Sequence, residues 1–457
     1  MAARSHEEAL RWLARCDHSV IRPGLERIER ILHAWGEPQA RLSAVHLAGT
    51  NGKGSTAAMT AAILRAAGRR TGLYTSPHLH ALNERMRIDG RPISTARLAA
   101  LADELRALLL HADGGAGERS ISPDYNDPPT YFESTTAMAF AYFAQEAVDW
   151  AVIETGLGGR FDATNMVAPR LSVLTPIDYD HMNYLGDSLT AIAWEKAGIL
   201  KAGVPAVIAP QPPEAEAVIE REAQRVGAPL IRCGREFFYE EEAGGRFTYR
   251  DRRRTLPHLH CPLPGRHQLM NAAAATAAAL ALRASGLPIA DEAIAAGLAS
   301  VRWEGRLEVL QERPRLLLDG AHNPAAARAL AAFLADEKRR LGGRVTAVFG
   351  IMRDKAVSEV VAALRPVVDH WIATAPPAMP RALPAEEVAA AVERAGGSVT
   401  LSADPASALA VALPTLGPRD LCCVTGSFYT VACAREWFLG ERASAPSRDG
   451  RVSLVPH

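Results

Sequence analysis

A glycine-rich turn with one lysine, HLAGTNGKGSTAAM at residues 46–59, carries residue types that bind phosphate. Gly49 and Gly52 would let backbone N–H groups approach phosphate oxygens, and Lys53 adds a formal positive charge. Compared with the common phosphate-loop signature, the glycines are closer together and the hydroxyl of Ser55 comes one position late. An apolar strand-like run precedes the turn and a helical pattern follows it. That context favours a nucleotide phosphate site over an ordinary turn.

Acidic residues follow two other strand-like runs, where a divalent cation could join the phosphates. The run WAVIE ends in Glu154 and leads into the glycines of TGLGG, and LSVLTPI leads into Asp178, Asp180 and His181. Ligands bind at the carboxyl ends of strands in open α/β sheets, and Mg²⁺ prefers oxygen ligands. We therefore expect Mg²⁺ with a nucleoside triphosphate, and the residue pattern alone assigns the hydroxyl ligand to Ser55.

Short apolar runs alternate with alanine-rich helical segments, which predicts a parallel α/β architecture. The elements around the turn are a strand in AVHLAG, a helix in STAAMTAAILRAAG and a second helix that Ser188 could cap. Near Trp303 the pattern restarts, and RLLLDGAHNP, RVTAVFGIM, HWIATAP and LCCVTGSF predict a second α/β domain. The tail, residues 441–457, has little to bury, and we expect it to be disordered.

Composition narrows the class of protein. The 457 residues suggest two or three domains, and 51 basic residues balance 51 acidic ones, which argues against nucleic-acid binding. The six cysteines form no C-x-x-C pair, a usage typical of a reducing compartment. The N-terminal residues predict an amphipathic helix without a signal peptide's apolar centre, and no run is apolar enough for a membrane span. We expect a cytoplasmic protein with no membrane partner.

Nine motifs in this order resemble the folylpolyglutamate synthase family of the Mur ligase superfamily: GTNGKGS, TSPHL, TYFE, ETGLGGRFDATN, DHMNYLG, EKAGI, EGRLE, DGAHNP and TGSF. They extend over nearly the whole chain, and the shortened glycine loop is that family's own variant. The resemblance implies a P-loop ATPase-like Mur ligase domain over residues 1–302. A smaller Rossmann-like α/β domain would occupy residues 303–440. The reaction site would lie between them, so catalysis would need domain closure.

The resemblance also implies an ATP-dependent amide ligase. A folate carboxylate would attack the γ-phosphorus of ATP, and glutamate would displace phosphate from the acyl phosphate. Dihydropteroate, reduced folates, L-glutamate and ATP would be the small-molecule substrates, with one or two Mg²⁺ ions and, as in relatives, a monomer. Three residues would be catalytic: Lys53, Lys196 and His322. Lys196 matches a lysine that is carbamylated in many relatives.

Ligand contacts carry over by position from the resemblance. The ATP phosphates would be held by Thr50, Asn51, Gly52, Lys53, Gly54 and Ser55. The metal ligands would be Ser76, Glu154 and His181, which leaves Ser55 for a second ion. The adenosine contacts would be Asn271, Arg306 and Asp319. His322 and Asn323 would face glutamate or the acyl phosphate.

Two segments match those that bind dihydropteroate in bifunctional relatives. They are Thr130, Tyr131, Phe132 and Glu133, and Phe161, Asp162 and Ala163. The chain departs from the family at Pro129, Arg22 and Pro23, which bears on dihydropteroate more than on folylpolyglutamate. Three alternatives stay open: a folylpolyglutamate synthase alone, a ligase of cell-wall UDP-muramyl peptides, and a nucleotide-driven switch or kinase without ligase chemistry.

Overall fold

The computed structural model describes residues 8, 11–13, 22–110, 128–377 and 379–444. The chain divides into two compact units, Met1–Trp303 and Glu304–His457. The predicted boundary between the two domains, after residue 302, lies one residue before the boundary in the structure, which follows Trp303. Most of the predicted N-terminal helix, and residues 445–457 of the predicted tail, lie outside the described residues. The prediction of disorder was wrong for residues 441–444 of that tail, which form the end of a helix.

The first unit contains an eight-stranded sheet and a separate three-stranded sheet. Their strands are β1 (Ala44–Ala48), β2 (Thr71–Tyr74), β3 (Met86–Ile88), β4 (Arg91–Pro92), β5 (Trp150–Glu154), β6 (Pro169–Leu174), β7 (Ala206–Ile208), β8 (Leu230–Arg232), β9 (Phe237–Glu242), β10 (Arg246–Asp251) and β11 (Thr255–His260). The larger sheet has the order β4-β3-β2-β5-β1-β6-β7-β8. Strand β1 pairs in parallel with β5 on one side and β6 on the other. The carboxyl ends of β2, β5, β1 and β6 therefore meet at one edge.

Helices cover the larger sheet. They are α1 (Glu26–Ala34), α2 (Lys53–Ala66), α3 (Thr95–Leu110), α4 (Tyr131–Gln145), α5 (Met182–Leu185), α6 (Leu189–Ala197), α7 (Pro213–Val226), α8 (Arg266–Ala284) and α9 (Asp291–Ala299). Short 3₁₀ helices span Pro38–Arg41, Leu82–Arg85 and Ala163–Met166. Strand β1 is buried along its whole length, as a central parallel strand covered on both faces should be. The alanines of α8 allow close packing, and its core also includes α2, α9 and the three-stranded sheet.

The second unit is a smaller α/β layer structure. Its strands are β12 (Glu308–Glu312), β13 (Arg315–Leu318), β14 (Val345–Phe349), β15 (His370–Ala373), β16 (Val399–Leu401) and β17 (Leu421–Thr425). Its helices are α10 (Pro324–Leu341), α11 (Val357–Leu364), α12 (Ala385–Arg394), α13 (Pro405–Ala412) and α14 (Phe428–Ser444), with a 3₁₀ helix at Leu413–Thr415. The sheet order is β12-β13-β17-β14-β15-β16, with only β12 antiparallel to its neighbour. Both units thus confirm the predicted α/β class.

Candidate functional site

The glycine loop after β1 has a backbone that side chains would disturb. Gly49 has φ +149° and packs directly against Thr175, so a Cβ would collide with the Thr175 side chain. Gly52 has φ +88°, and a Cβ there would lie 2.5 Å from Oδ1 of Asn271. Glycine is required at both positions by the positive φ and by the close approach. The loop therefore leads the chain tightly from β1 into α2, as a phosphate cradle requires.

The first half of the loop is anchored to the segment after β6. The backbone N–H groups of Thr50 and Asn51 donate to the carbonyl oxygen of Pro176, at 2.9 and 3.3 Å. The hydroxyl of Thr50 donates to the Asp178 carbonyl, 2.9 Å away, and accepts from the Asp178 N–H, at 3.1 Å. The N–H groups of Thr50 and Asn51 are therefore already hydrogen-bonded within the protein. The first turn of α2, which begins at Lys53, carries backbone N–H groups of the kind that bind phosphate at a helix N-terminus.

Two lysine ammonium groups meet over this loop. Nζ of Lys53 donates to the carbonyl oxygens of Gly49 and Thr50, at 3.0 and 3.2 Å, and Nζ of Lys196 donates to the same Gly49 oxygen at 2.8 Å. Lys196 is only 4% exposed. Burial, with the neighbouring charge of Lys53, lowers the pKa of Lys196 to about 7, although Asp180, Asp162 and Glu195 oppose the shift. The motif EKAGI had marked Lys196 as a candidate catalytic residue, and in the structure this lysine holds its proton less tightly than an ordinary lysine does.

Glu154 ends β5 beside the loop, and its carboxylate is buried at 4% exposure. Its Oε2 accepts from the backbone N–H of Ser76 at 3.2 Å, and a Cβ on Gly54 would lie 3.4 Å from the same oxygen. Two predicted metal ligands and the start of α2 therefore converge. Ser55, which the residue pattern alone had assigned to the metal, is buried in the first turn of α2.

His181 follows β6 and precedes helix α5, with φ +52°. Its Nε2 lies 3.8 Å from Oδ1 of Asp180. Among the described residues, no three His, Cys, Asp or Glu side chains are grouped closely enough to hold a metal ion by themselves. A cation at Glu154 and Ser76 would need oxygen ligands from water and phosphate as well, the donor set that Mg²⁺ favours.

The TYFE segment forms the start of α4. Thr130 is the N-cap: its hydroxyl accepts from the Glu133 N–H at 3.2 Å, and Oε2 of Glu133 accepts from the Thr130 N–H at 2.7 Å. The carboxylate of Glu133 also pairs with Nε of Arg27 at 3.0 Å. Phe132 packs against Gly156, where a Cβ would collide with its ring. The capping box and the ion pair account for Thr130 and Glu133 without a ligand.

The FDA segment closes the loop after β5. Asp162 is buried, and its carboxylate accepts from the N–H groups of Leu157 and Thr164, at 2.7 and 3.0 Å. Burial raises the pKa of this carboxyl, while those hydrogen bonds oppose the shift. Ala163 is buried beside it, whereas Phe161 is 45% exposed, with its ring centroid 6.5 Å from that of Trp194. Of these three residues, only Phe161 exposes its side chain to solvent, whereas Asp162 and Ala163 are buried.

In the second unit, predicted residues gather where β13 and β17 end. Asp319 accepts from the N–H groups of Leu307 and Ala321, each at 2.9 Å. Nδ1 of His322 lies 2.8 Å from the Gly320 carbonyl oxygen. Asn323 caps α10 through its Oδ1, which accepts from Ala326 N–H at 2.9 Å.

Phe428 joins this group, although sequence reasoning gave it no role. The guanidinium carbon of Arg306 lies 4.3 Å from the Phe428 ring centroid, and the His322 ring lies 6.1 Å from it. A Cβ on Gly320 would also meet the Phe428 ring, at 2.7 Å. The motif TGSF contained this residue, but the motif alone does not show that Arg306 stacks on it. Phe428 thus sets the orientation of a residue predicted to contact the nucleotide.

None of the helices in the described parts of the chain has the length and apolar character needed to cross a membrane. The cysteines that the structure describes are free thiols: Cys233, Cys261, Cys422, Cys423 and Cys433. Burial raises the pKa of the Cys422 thiol to about 12. Cys422 and Cys423 are fully buried in β17, where a thiol packs as a small apolar side chain.

Comparison with known families and proteins gives consistent matches over both units. The Mur ligase middle domain matches residues 47–279, and the Mur ligase glutamate ligase domain matches residues 305–428. The dihydrofolate synthase/folylpolyglutamate synthase of Bacillus subtilis is 36% identical over 438 residues, 94% of this chain and 99% of that protein. The folylpolyglutamate synthase of Lacticaseibacillus casei is 36% identical over 422 residues, 91% of this chain and 95% of that protein.

Solved structures agree with these matches. Escherichia coli FolC in complex with DHPP and ADP superimposes with a TM-score of 0.83 at 34% identity, covering 97% of this chain and 99% of that chain. A bifunctional folylpolyglutamate synthase/dihydrofolate synthase with Mn, AMPPNP and L-glutamate bound gives a TM-score of 0.81 at 35% identity, covering 94% of this chain and 98% of that chain.

Proposed function

The chain belongs to the dihydrofolate synthase/folylpolyglutamate synthase family of Mur ligases, and we propose that it attaches L-glutamate to dihydropteroate and to reduced folates at the expense of ATP. The observation that carries this proposal is one edge of the larger sheet. There the glycine loop, Lys53, Lys196 and the buried carboxylate of Glu154 lie together. Relatives of similar fold bind ADP with DHPP, or AMPPNP with Mn and L-glutamate.

The chemistry needs an activated carboxyl group, because a carboxylate is a poor electrophile. A carboxylate oxygen of the acceptor attacks the γ-phosphorus of ATP, the bond from that phosphorus to the β,γ-bridging oxygen breaks, and ADP leaves. The amine of glutamate then attacks the acyl phosphate, phosphate departs, and the amide nitrogen loses a proton. In the first step two anions meet. The ammonium of Lys53 and the N-terminus of α2 offset that negative charge.

A divalent cation fits the residues beside the loop. Ser76 and Glu154 would hold it with oxygen atoms, and His181 is proposed as a further ligand. A buried carboxylate is costly unless a charge or hydrogen bonds compensate it, and Glu154 receives an N–H from Ser76 at 3.2 Å. The ion would supply positive charge at the transferring phosphoryl group.

We propose that Lys196 is carbamylated. Its nitrogen would attack the carbon of CO₂ and release a proton, which turns an ammonium into an anionic group. Only the neutral amine can do this, and the pKa near 7 makes that form abundant at neutral pH, unlike an ordinary lysine. A carbamate would also relieve the charge repulsion between Lys196 and Lys53, whose ammonium groups share one carbonyl oxygen.

The remaining contacts are proposed residue by residue. Asn271 packs against Gly52 in the first unit, and we assign it to the nucleotide. Arg306 and Asp319 are assigned to adenosine, and His322 and Asn323 to glutamate or the acyl phosphate. Phe132 and Phe161 are assigned to the aromatic part of the acceptor. The free thiols of the described residues support a cytoplasmic location, and a monomeric state stays a prediction.

A folylpolyglutamate synthase without dihydropteroate activity is the second candidate. The Lacticaseibacillus casei relative, named for that activity alone, is as similar as the Bacillus subtilis one. The test is phosphate release from ATP with Mg²⁺, comparing dihydropteroate and tetrahydrofolate as acceptors. We expect release with both, and only when glutamate is present. Release with tetrahydrofolate alone would leave the second candidate. ATP turnover indifferent to glutamate would mean a switch or kinase, and failure of both acceptors would point to another Mur-type ligase.

A further inference from the structure

Trp303 is a half-buried residue beside the glycine loop, and the proposed chemistry assigns it no role. It is the last residue of the first unit, in the segment that follows α9, and its side chain packs on the hydrophobic core that includes α2. The guanidinium carbon of Arg87 lies 5.2 Å from the centroid of its ring. Packing on the core and a cation over the ring face fix the orientation of the indole.

The nitrogen edge of this indole faces the first turn of α2. A Cβ built on Gly54 would lie 3.4 Å from Nε1 of Trp303, nearer than to any other atom of that ring, and 3.4 Å from Oε2 of Glu154. The indole nitrogen and the carboxylate oxygen therefore border the same small space over Gly54. This glycine is the residue that separates Lys53 from Ser55 and places the hydroxyl one position late. Its lack of a side chain keeps the space open.

The two groups that border this space have opposite hydrogen-bonding needs. An indole N–H can only donate, and no acceptor among the described residues is bonded to that of Trp303. Away from bulk water, a tryptophan N–H usually has an acceptor. The carboxylate of Glu154 is assigned to the cation that accompanies the transferring phosphoryl group of ATP. An oxygen of that phosphoryl group is therefore the acceptor that matches the indole N–H.

We propose that the indole N–H of Trp303 donates a hydrogen bond to an oxygen of the γ-phosphoryl group of ATP, and that Gly54 leaves the space for that oxygen. This inference rests on the proposed function, since it needs ATP at the glycine loop with its γ-phosphoryl group beside Glu154. Trp303 thereby distinguishes ATP from ADP, which lacks this group. It also restrains the γ-phosphoryl group while the acceptor carboxylate attacks it.

The experiment measures the dissociation constants of AMPPNP and of ADP, each with Mg²⁺, by isothermal titration calorimetry. The proteins are wild type, Trp303→Phe, Trp150→Phe and Gly54→Ala. Phenylalanine keeps an aromatic ring for the core and for Arg87 but has no N–H. Trp150 is also half-buried and packs on the same core, but it begins β5, at the opposite end of that strand from Glu154. Its variant is therefore a matched control, and unfolding curves are recorded for each protein.

Trp303→Phe should weaken binding of AMPPNP about 10- to 100-fold, the range expected of a hydrogen bond to a charged group, and leave binding of ADP unchanged. Trp150→Phe should bind both nucleotides as wild type does. Gly54 lies within α2 without a left-handed backbone, so Gly54→Ala should unfold at no lower temperature than wild type. Its methyl group should still weaken binding of AMPPNP more than that of ADP, because it fills the space proposed for the γ-phosphoryl oxygen.

Four outcomes would overturn the inference. Equal losses for AMPPNP and ADP in Trp303→Phe would mean that Trp303 only supports the loop, and unchanged binding of both would mean that it does not touch the nucleotide. A loss in Trp150→Phe as large as in Trp303→Phe would mean that the substitution acts through the core. Unchanged AMPPNP binding by Gly54→Ala would mean that no phosphoryl oxygen enters the space over Gly54.

Glutamate-dependent phosphate release by the wild type is measured in the same preparation. Its absence would refute the proposed function, whereas normal release with any of these four outcomes would refute only the role of Trp303.

Discussion

The two lysines over the glycine loop have different surroundings. Lys53 starts α2 and is partly exposed, whereas Lys196 is buried at the end of α6. Placing an ammonium in a buried site costs free energy, and a second ammonium nearby adds to the cost. The pKa of Lys196 falls to about 7 for these reasons, so its neutral form dominates above that pH. Such an amine can react with CO₂, and an ordinary lysine at neutral pH reacts far less.

Carbamylation of Lys196 can be tested by ¹³C NMR in buffer with ¹³C-labelled bicarbonate. The lowered pKa means that the amine is neutral above about pH 7 and protonated below it. A carbamate resonance should therefore be present at alkaline pH and disappear as the pH falls through about 7. Lys196→Met should lack it, while Lys201→Arg, a change at another lysine whose pKa burial lowers, should retain it. A signal that survives in Lys196→Met, or no signal at alkaline pH, would refute carbamylation.

Several carboxylates that the sequence singled out are already occupied within the fold. Glu133 completes a capping box and pairs with Arg27, Asp162 accepts from two backbone N–H groups, and Asp319 does the same. Motifs identify residue types at a site. They do not show whether a side chain meets a ligand or holds the loop that meets it, because that depends on partners far along the chain, such as Arg27 for Glu133.

The unit formed by β1, the glycine loop and α2 is the element to which we assign the phosphates of ATP. Gly52 combines a positive φ with close packing against Asn271, and these two constraints have separate costs. The left-handed backbone strains any residue with a Cβ, while the short distance would displace the Asn271 side chain. A second glycine separates the two effects. Gly36 has φ +80°, and a Cβ there would meet no atom of the described residues within 4 Å, so it shows the backbone cost alone.

Gly52→Ala should raise the KM for ATP by about 10-fold or more, since a displacement of roughly 1 Å in a binding site can cost that much. Gly36→Ala should lower the free energy of unfolding by about 1 kcal/mol and leave the KM for ATP unchanged. The measurement is ATP-dependent turnover together with thermal unfolding of both variants. Equal KM values for both would remove the close contact with Asn271 as a factor in ATP binding.

The sequence predicted that most of these strands and helices exist, but it predicted their first and last residues less well. WAVIE forms β5 with the predicted bounds, and Ser188 caps α6 through its hydroxyl, which accepts from Ala191 N–H. Helix α2 begins at Lys53 rather than at the predicted Ser55, so Lys53 and Gly54, neither of them hydrophobic, belong to its first turn. Hydrophobic periodicity gives no signal at such residues, and the left-handed backbone of Gly52 marks where the helix starts.

At the scale of the whole molecule, the chain consists of two units with separate hydrophobic cores. The order of motifs along the chain sufficed to predict the α/β class and the family, and several of the motifs, such as GTNGKGS and DGAHNP, directly follow a strand. The role of Phe428 was beyond that reasoning. It follows from stacking with Arg306, a contact between residues widely separated in sequence.

The most direct measurement of the central claim follows oxygen atoms through the reaction. The acceptor is prepared with ¹⁸O in its carboxylate and incubated with the protein, ATP, Mg²⁺ and glutamate, and the released phosphate is analysed by mass spectrometry. An acyl phosphate route transfers one carboxylate oxygen to each phosphate, so we predict one ¹⁸O atom per phosphate formed with product amide. Phosphate without label would mean that water, rather than the acceptor, attacks ATP, and would contradict the assignment as a glutamate ligase.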